Sequence, residues 1–310
     1  MVGRIVEVCQ EHRSLSLEHG FLKVVTAEGE TSRVDLETIA VLLVTARQAT
    51  LSRALLCELA QRGIPTLLCG QRYSPQAIVF PAESHYRQSG ILKAQINVSL
   101  PLKKNLWKEI IRRKITGQAQ MLRSVGDEEG YTHLTAVSGH VKSGDSENRE
   151  AYAARYYWRR LFGAAFRRNP DGDGLNLFLN YAYAVIRSSM ARAVFATGLN
   201  PGLGIFHENS LNAFCLVDDL MEPFRPMADS VVLEAAGRFG IDGELTPEIK
   251  TVLIQCGWLK VKTVHGYSPL FQSMYYLASS YLRSLESGKN DLDIPEWGGC
   301  HEKITGGESL

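Results

Sequence analysis

"ILKAQINVSLPLKKNLWKEIIRRKITGQAQMLRS", residues 91–124, decides how the rest of the chain is read. Its apolar residues Leu106, Ile110, Ile111 and Ile115 recur every three or four positions, the spacing of one buried face of an α-helix. Pro101 suits the first turn of that helix, where its missing N–H has no partner to lose. Upstream the pattern is that of short strands: "RIVEVC" (4–9), "SLSLEHGFLKVVTAEGETSRVDL" (14–36) with an AEGE turn, "IAVLLV" (39–44), "IPTLLCG" (64–70) and "QAIVF" (76–80). One helix, "LSRALLCELAQRG" (51–63), interrupts them and ends at Gly63 as a C-cap. The chain therefore changes character near residue 85, and the sequence predicts an α+β protein. A small β-rich, sandwich-like domain (1–84) precedes a larger all-helical domain (85–310).

Within the second domain the polar "SGHVKSGDSEN" (138–148) offers Asp145 or Ser146 as N-cap for a following helix. "LNLFLNYAYAVIRSSMARAVFATG" (175–198) and "SPLFQSMYYLASSYLRSLESG" (268–288) are further helices, each closed by glycine. "KNDLDIPEWGGCHEKITGGESL" (289–310) is polar and glycine-rich, so the chain from about 288 reads as a mobile tail.

Composition excludes several classes. The 310 residues suffice for two domains, and 45% hydrophobic with 22% charged residues is ordinary for a globular protein. Arg4 and Glu7 break any secretory core, and no apolar run approaches the length of a membrane span, so a cytoplasmic protein is expected. The six cysteines (Cys9, Cys57, Cys69, Cys215, Cys256, Cys300) show no close spacing, which indicates neither a disulfide framework nor a zinc cluster. Net charge is only +1, so affinity for nucleic acid requires local segregation.

Such segregation exists. Residues 101–125 carry Lys103, Lys104, Lys108, Arg112, Arg113, Lys114 and Arg123 against Glu109 alone. Residues 148–168 carry Arg149, Arg155, Arg159, Arg160, Arg167 and Arg168 against Glu150 alone. Two basic helices can track a phosphate backbone, or can simply be solvated faces. Glu150 is the exception in its helix. It shares a face with Ala153, Ala154, Tyr157 and Leu161, so it points inward beside small residues and needs a partner from elsewhere; a metal would serve.

Candidate partners lie in residues 203–229. His207 follows the glycine-rich "TGLNPGLGIF" loop, and Asp219 and Glu222, three apart beside Pro223, fit the first turn of a helix starting there. One imidazole with two or three carboxylates suits Mg²⁺ or Mn²⁺; zinc stays open because Cys215 lies four residues before Asp219. Taken singly, His207 reads as well as a ring satisfied by a backbone carbonyl, and the two acids as complements of a helix dipole. Two decoys are set aside. "DGDGLN" (171–176) lacks the glycine and glutamate of a calcium loop, and "GLNPGLG" has neither dinucleotide nor P-loop spacing.

Together, "NREAYAARYYW" (148–158) and "GIFHEN" (204–209) with "LVDDLMEPFRPMAD" (216–229) resemble the paired signatures of the CRISPR-associated adaptation integrases, most closely those of type II systems. The first signature, glutamate, glycine, any residue, two alanines and an aromatic pair, falls on Glu150, Ala151, Tyr152, Ala153, Ala154, Tyr157 and Trp158, with Ala151 the one departure. "LNYAYAVIRSSMARA" (179–193) is similar to the helix between the signatures. The resemblance implies a catalytic set of Glu150, His207, Asp219 and Glu222, in which Glu150, His207 and Glu222 hold Mg²⁺ or Mn²⁺, Asp219 stands beside them and Asp218 points away. It implies joining of a captured fragment's 3′-hydroxyl to CRISPR repeat DNA, with Lys103, Lys104, Lys108, Arg112, Arg113, Arg149, Arg155, Arg159 and Arg225 on double-stranded DNA. Arg225 serves equally to set Glu222 or Asp229. It further implies a homodimer joined through the β-rich domains, two such dimers flanking a dimer of a small ferredoxin-like adaptation protein, and no membrane. A stand-alone repair nuclease and a catalytically silent DNA-binding scaffold are the competing classes; the intact Glu/His/Glu set speaks against the scaffold, and need of the small partner separates the nuclease.

Overall fold

The computed structural model describes residues 4–70, 75–79, 88–241 and 244–298, and the chain divides into two compact units, 1–86 and 87–310. The front unit runs β1 (Arg4–Val8), β2 (Ser14–Glu18), β3 (Phe21–Val25), β4 (Thr31–Asp35), β5 (Ile39–Val44), β6 (Thr50–Leu51), α1 (Arg53–Gln61), β7 (Thr66–Cys69) and β8 (Pro75–Val79). Among the described residues the strands form two sheets, ordered β4-β3-β2-β6 and β1-β5-β7-β8. β5 pairs parallel with both β1 and β7, which explains why its sequence is continuously apolar: Val41, Leu42, Leu43 and Val44 are all buried, as in a strand covered on both faces. Leu15 and Leu22 from one sheet, Leu42 and Val44 from the other, and Leu55 and Leu59 from α1 share one core. Ser52 caps α1 by accepting the Leu55 N–H.

The second unit contains α2 (Gln88–Ile96), α3 (Leu100–Ser124), α4 (Glu128–Gly139), α5 (Arg149–Phe162), α6 (Leu175–Ala196), α7 (Cys215–Met221), α8 (Arg225–Phe239), α9 (Pro247–Ile254) and α10 (Leu270–Ser287). The apolar α6, with Phe178, Leu179, Tyr181, Ala182, Val185, Ile186 and Met190 fully covered, is the central rod. α7, α8, α9 and α10 pack on it. α3 packs against α4, α5 and α8 and against a 3₁₀ turn, Glu222–Phe224. Gly117 eases the close approach of α3 to the start of α8, since a Cβ there would stand 3.2 Å from the Pro226 ring. Among the described residues no helix is long and apolar enough to cross a membrane.

The α+β class read from periodicity holds, with three corrections. The helical unit is not all helix: β9 (Lys260–Thr263) and β10 (Gly266–Pro269) form an antiparallel hairpin. The tail expected to be mobile from about 288 is anchored as far as 298. Ile294 and Trp297 are buried, Ser284 and Ser280 hydroxyls accept the Asp291 and Asp293 N–H groups, and Glu296 bridges Lys262 of β9. Residues 299–310 lie outside the described part. Finally, the 91–124 segment is two helices, broken at 97–99, where Ser99 accepts the Leu102 N–H to start α3.

α5 begins in a way that matters for the site. Asn148 enters it with φ +53°, and the cap comes from Asp145, three residues earlier, whose two carboxylate oxygens accept the N–H groups of Arg149 (2.9 Å) and Glu150 (3.0 Å). Asp145 therefore fixes the backbone that carries Glu150. Asp145→Ala is expected to cost about 1–2 kcal/mol, as loss of a side-chain cap does. A urea midpoint equal to that of the wild type would show that the cap contributes nothing.

Candidate active site

Three segments bring charge to one place. α5 buries Ala153 and Tyr157 and thereby turns Glu150 towards α3. There it meets a residue the sequence reading had counted on the basic surface: Lys114, only 10% exposed, donates from Nζ to Glu150 Oε1 at 2.6 Å. The same nitrogen stands 2.5 Å from Glu222 Oε2, and Arg225 Nε donates to the other oxygen of Glu222 at 2.8 Å. Glu222 does not sit in the first turn of a helix beginning near 219, as expected. α7 starts earlier, at Cys215, and Pro223 then closes it into the 3₁₀ turn that Glu222 opens. Pro226 next occupies the first turn of α8. The two prolines thus present Glu222 and Arg225 on consecutive turns. Burial alone would raise the Glu222 carboxyl, but Arg225 and Lys114 outweigh it and hold it down at about 2.

The second half of the site is a nest around Asp219, which has no exposed surface. Its Oδ2 accepts the N–H groups of Ile205 (2.7 Å), Phe206 (2.8 Å) and His207 (3.3 Å), while Oδ1 takes His207 Nδ1. A carboxylate only accepts, so Nδ1 carries the proton, and in the neutral ring Nε2 is left as the acceptor. Gly204 is required for this wrap, because a Cβ would meet His207 O at 2.3 Å. Phe206 stacks on Trp107 of α3 at 4.6 Å, and the Trp107 ring meets His207 edge-on at 5.6 Å. Gln95 of α2 ties the same loop at Asn200, donating to its carbonyl and accepting its N–H. The Asp219 carboxylate raises His207 above its ordinary value, with burial opposing and the charges of Glu222 and Glu150 adding to the rise.

A fourth acid, Asp229, is fully buried next to Arg225. Asp229 accepts hydrogen bonds from Tyr157 (2.9 Å) and Tyr183 (2.6 Å), and the Arg225 guanidinium lies over the Tyr183 ring at 4.7 Å. Burial pushes Asp229 up to about 7, against the two hydroxyls and Arg225.

The four residues singled out from sequence thus arrive as two pairs, Glu150 with Glu222 across Lys114, and His207 on Asp219. Asp218 does point away, into Arg187 (2.5 Å) and Asn212 (2.8 Å). Cys215, which left zinc open, is buried and directed at the Asn212 carbonyl at 3.3 Å. Arg225, one of the residues expected on DNA, is engaged by Glu222, as the structural alternative had it. On the basic helices Lys104, Arg112, Arg155 and Arg159 are exposed, and Lys103, Lys108, Arg113 and Arg149 half-exposed; Glu109 pairs Arg112 and Arg113, and Glu147 pairs Arg149. Lys114 is the residue missed. It lies four after Ile110, three after Ile111 and one before Ile115, so the helix period already placed it on the buried face. Among the described residues no three His, Cys, Asp or Glu side chains form a ready cage for a metal. By chemistry the donors nonetheless fit a divalent ion: two carboxylates meet at a single cation, and a nearby imidazole keeps Nε2 as its acceptor.

A strand-rich front unit and a helical unit that carries an acid–imidazole cluster match the architecture that the resemblance to the adaptation integrases implies. The family model "CRISPR associated protein Cas1" matches residues 6–246, and the chain belongs to that family. It is 36% identical over 288 residues, 93% of this chain and 94% of the other, to the CRISPR-associated endonuclease Cas1 of Neisseria meningitidis serogroup C (strain 8013). Its fold is shared with a casposase bound to integration product (TM-score 0.78, 17% identity, 99% of this chain and 96% of that one). It is shared also with a Cas6-RT-Cas1–Cas2 complex (TM-score 0.75, 17% identity, 93% of this chain and 35% of that one).

The Asp229 geometry gives a pH dependence. The folded protein holds this proton up to about 7 against an ordinary 3.8, so between those values it binds more protons than the unfolded chain. The contribution is fully present below the ordinary value and is lost as pH rises through the folded one. Asp229→Asn is therefore expected to flatten the decline of stability over this range, read from urea midpoints at successive pH values; an unchanged slope assigns the decline to other groups.

Proposed function

We propose that this chain is a divalent-metal-dependent DNA integrase and endonuclease that inserts short foreign DNA fragments as new spacers into a CRISPR array. The observation that carries the reading is the convergence of Glu150 and Glu222 on one cation, beside an imidazole oriented by a buried carboxylate, between two basic helices. The names of a Cas1 endonuclease and of a casposase holding an integration product support the same chemistry.

In this reading Glu150, His207 and Glu222 hold Mg²⁺ or Mn²⁺. When bound, the ion supplies a Lewis acid for the scissile phosphate and for charge on the departing oxygen. The chain's own residues prepare the rest. Asp219 keeps the His207 proton on Nδ1, so that Nε2 faces the site as a donor of electrons; Arg225 locks the Glu222 carboxylate in orientation. Lys103, Lys104, Arg112 and Arg113 of α3, with Arg155 and Arg159 of α5, neutralise the DNA backbone and bring the 3′-hydroxyl of the fragment to the repeat. Water in place of that hydroxyl gives nuclease activity from the same groups. The front unit serves as the homodimer surface, and the Cas1–Cas2 composition of the complex of like fold supports a Cas2-type partner; two integrase dimers to a partner dimer is the arrangement the family resemblance implies.

The deciding experiment mixes the protein, the small partner, a short duplex with free 3′ ends and a plasmid carrying a repeat, and scores joined strands. A stand-alone repair nuclease would cut without the partner and join nothing. Glu150→Ala is expected to abolish joining yet bind duplex like the wild type. Reversing Lys103, Lys104, Arg112 and Arg113 together weakens binding and flattens its salt slope by about 0.9 per lost phosphate contact. Joining by the Glu150 variant, or a wild-type salt slope in the other, contradicts this division of labour.

The acids of "DDLME" should separate in a Mn²⁺ titration of strand joining. Glu222→Ala is expected to stay inactive at every concentration, whereas Asp219→Asn, which keeps shape and one acceptor, retains part of the activity and regains more at high Mn²⁺. Recovery by Glu222→Ala with a dead Asp219→Asn reverses the ligand assignment.

A further inference from the structure

The point at which Glu150 and Glu222 converge is already filled by a cation of the chain's own. Lys114 Nζ lies 2.6 Å from one carboxylate and 2.5 Å from the other. A hard divalent ion bound to the same oxygens would sit about 2.1 Å from them, in the space the ammonium fills, so both cations cannot occupy it together. A seat for the displaced ammonium exists one turn along α3. Gln118 is 3% exposed, and among the described residues its Oε1 has no hydrogen-bond partner, an unusual state for a buried acceptor. Gln118 follows Lys114 by four residues, so the two side chains share one face of α3. Lys114 and Gln118 line one cavity of about 270 Å³ together with Glu222, Arg225 and Asp229, which gives the lysine room to swing.

We propose that Lys114 is a displaceable counter-cation: it holds Glu150 and Glu222 together in the metal-free protein and moves to Gln118 Oε1 when a divalent ion takes the carboxylates. The inference rests on the metal-holding role of Glu150 and Glu222 given above and adds to it. Without the ammonium, two acids would face one another, one of them buried, with Arg225 the remaining partner of Glu222. With it, the site is pre-paired, and metal affinity is set by competition between the ion and the lysine. Lys114 is in this sense a positioning residue, and its effect appears in metal binding itself.

The test uses the full chain without DNA, Mn²⁺ as the probe, calorimetric titration for affinity and thermal melting for stability. Lys114→Met is expected to melt lower than the wild type without metal, to bind Mn²⁺ at least about tenfold more tightly, and to gain more in melting temperature from Mn²⁺. Gln118→Leu removes the receiving acceptor and an unmatched buried oxygen. It is expected to melt no lower than the wild type without metal, yet to bind Mn²⁺ up to about tenfold more weakly, the loss of one hydrogen bond to a charged group. A lysine that merely stood near the ion would give the tighter binding of the first variant but no change in the second. Wild-type Mn²⁺ affinity in Gln118→Leu therefore overturns the proposal, as does unchanged or weaker binding by Lys114→Met. If Lys114→Met does not fold, the Gln118 variant decides alone. Failure of the wild type and both variants to bind Mn²⁺ removes the metal reading and this inference with it; Mn²⁺ binding that is equal in all three removes only the inference.

Discussion

Two ionised carboxylates from different segments can share one largely buried point only if a cation stands between them. Lys114 meets that constraint, and much of the helical unit is arranged to let it. α3 must run past both acids, so it carries Gly117 where the Pro223–Pro226 turn comes closest and keeps its apolar residues on the flanks of Lys114. α5 must present Glu150 at its first turn, so its start is capped by Asp145 from outside the helix. The break between α7 and α8 must present Glu222 and its arginine three residues apart, which two prolines accomplish.

The imidazole is positioned by a different device. Asp219 is sealed from water and takes three backbone N–H groups in succession, so the loop that carries His207 is wound around a charge. This makes the orientation of the ring a property of the loop backbone and of Gly204 as well as of the side chain. The Trp107–Phe206 stack then ties the loop to α3, the same helix that carries Lys114. A disturbance of α3 therefore reaches both halves of the site, whereas a disturbance of α5 reaches Glu150 and, through Tyr157, Asp229.

Much of this was legible in the sequence, and the failures have identifiable causes. Period two before residue 85 and period three to four after it gave the class, because each domain has a single dominant core face. α4 escaped because "EEGYTHLTAVSG" has two glycines and little apolar content, and it depends on Asp127 accepting the Gly130 N–H and on packing against α3. The tail was misread because polarity was taken for mobility, while two residues, Ile294 and Trp297, suffice to anchor it. Glu150 stood out as the one acid of a basic helix, on its inward face, and His207 and Glu222 by the glycine loop and the proline beside them; Lys114 lay on an inward face in the same way. It was overlooked because it sat among six other basic residues whose side chains face outward or lie half-exposed.

The burial of Lys114 between two acids bears on the electrostatics of the whole surface. A phosphate backbone approaching α3 and α5 meets cations first, and an acidic site among them would repel it were its charge left bare. Inside, Lys114 and Arg225 offset Glu150 and Glu222, and burial of Asp229 favours its protonated form. The Glu150–Glu222 pair is thus balanced by the chain's own cations, and these two acids do not weaken the basic face in front of them. A divalent ion at the same two carboxylates would take the place of the Lys114 ammonium, so the net charge added there would be smaller than the ion's own.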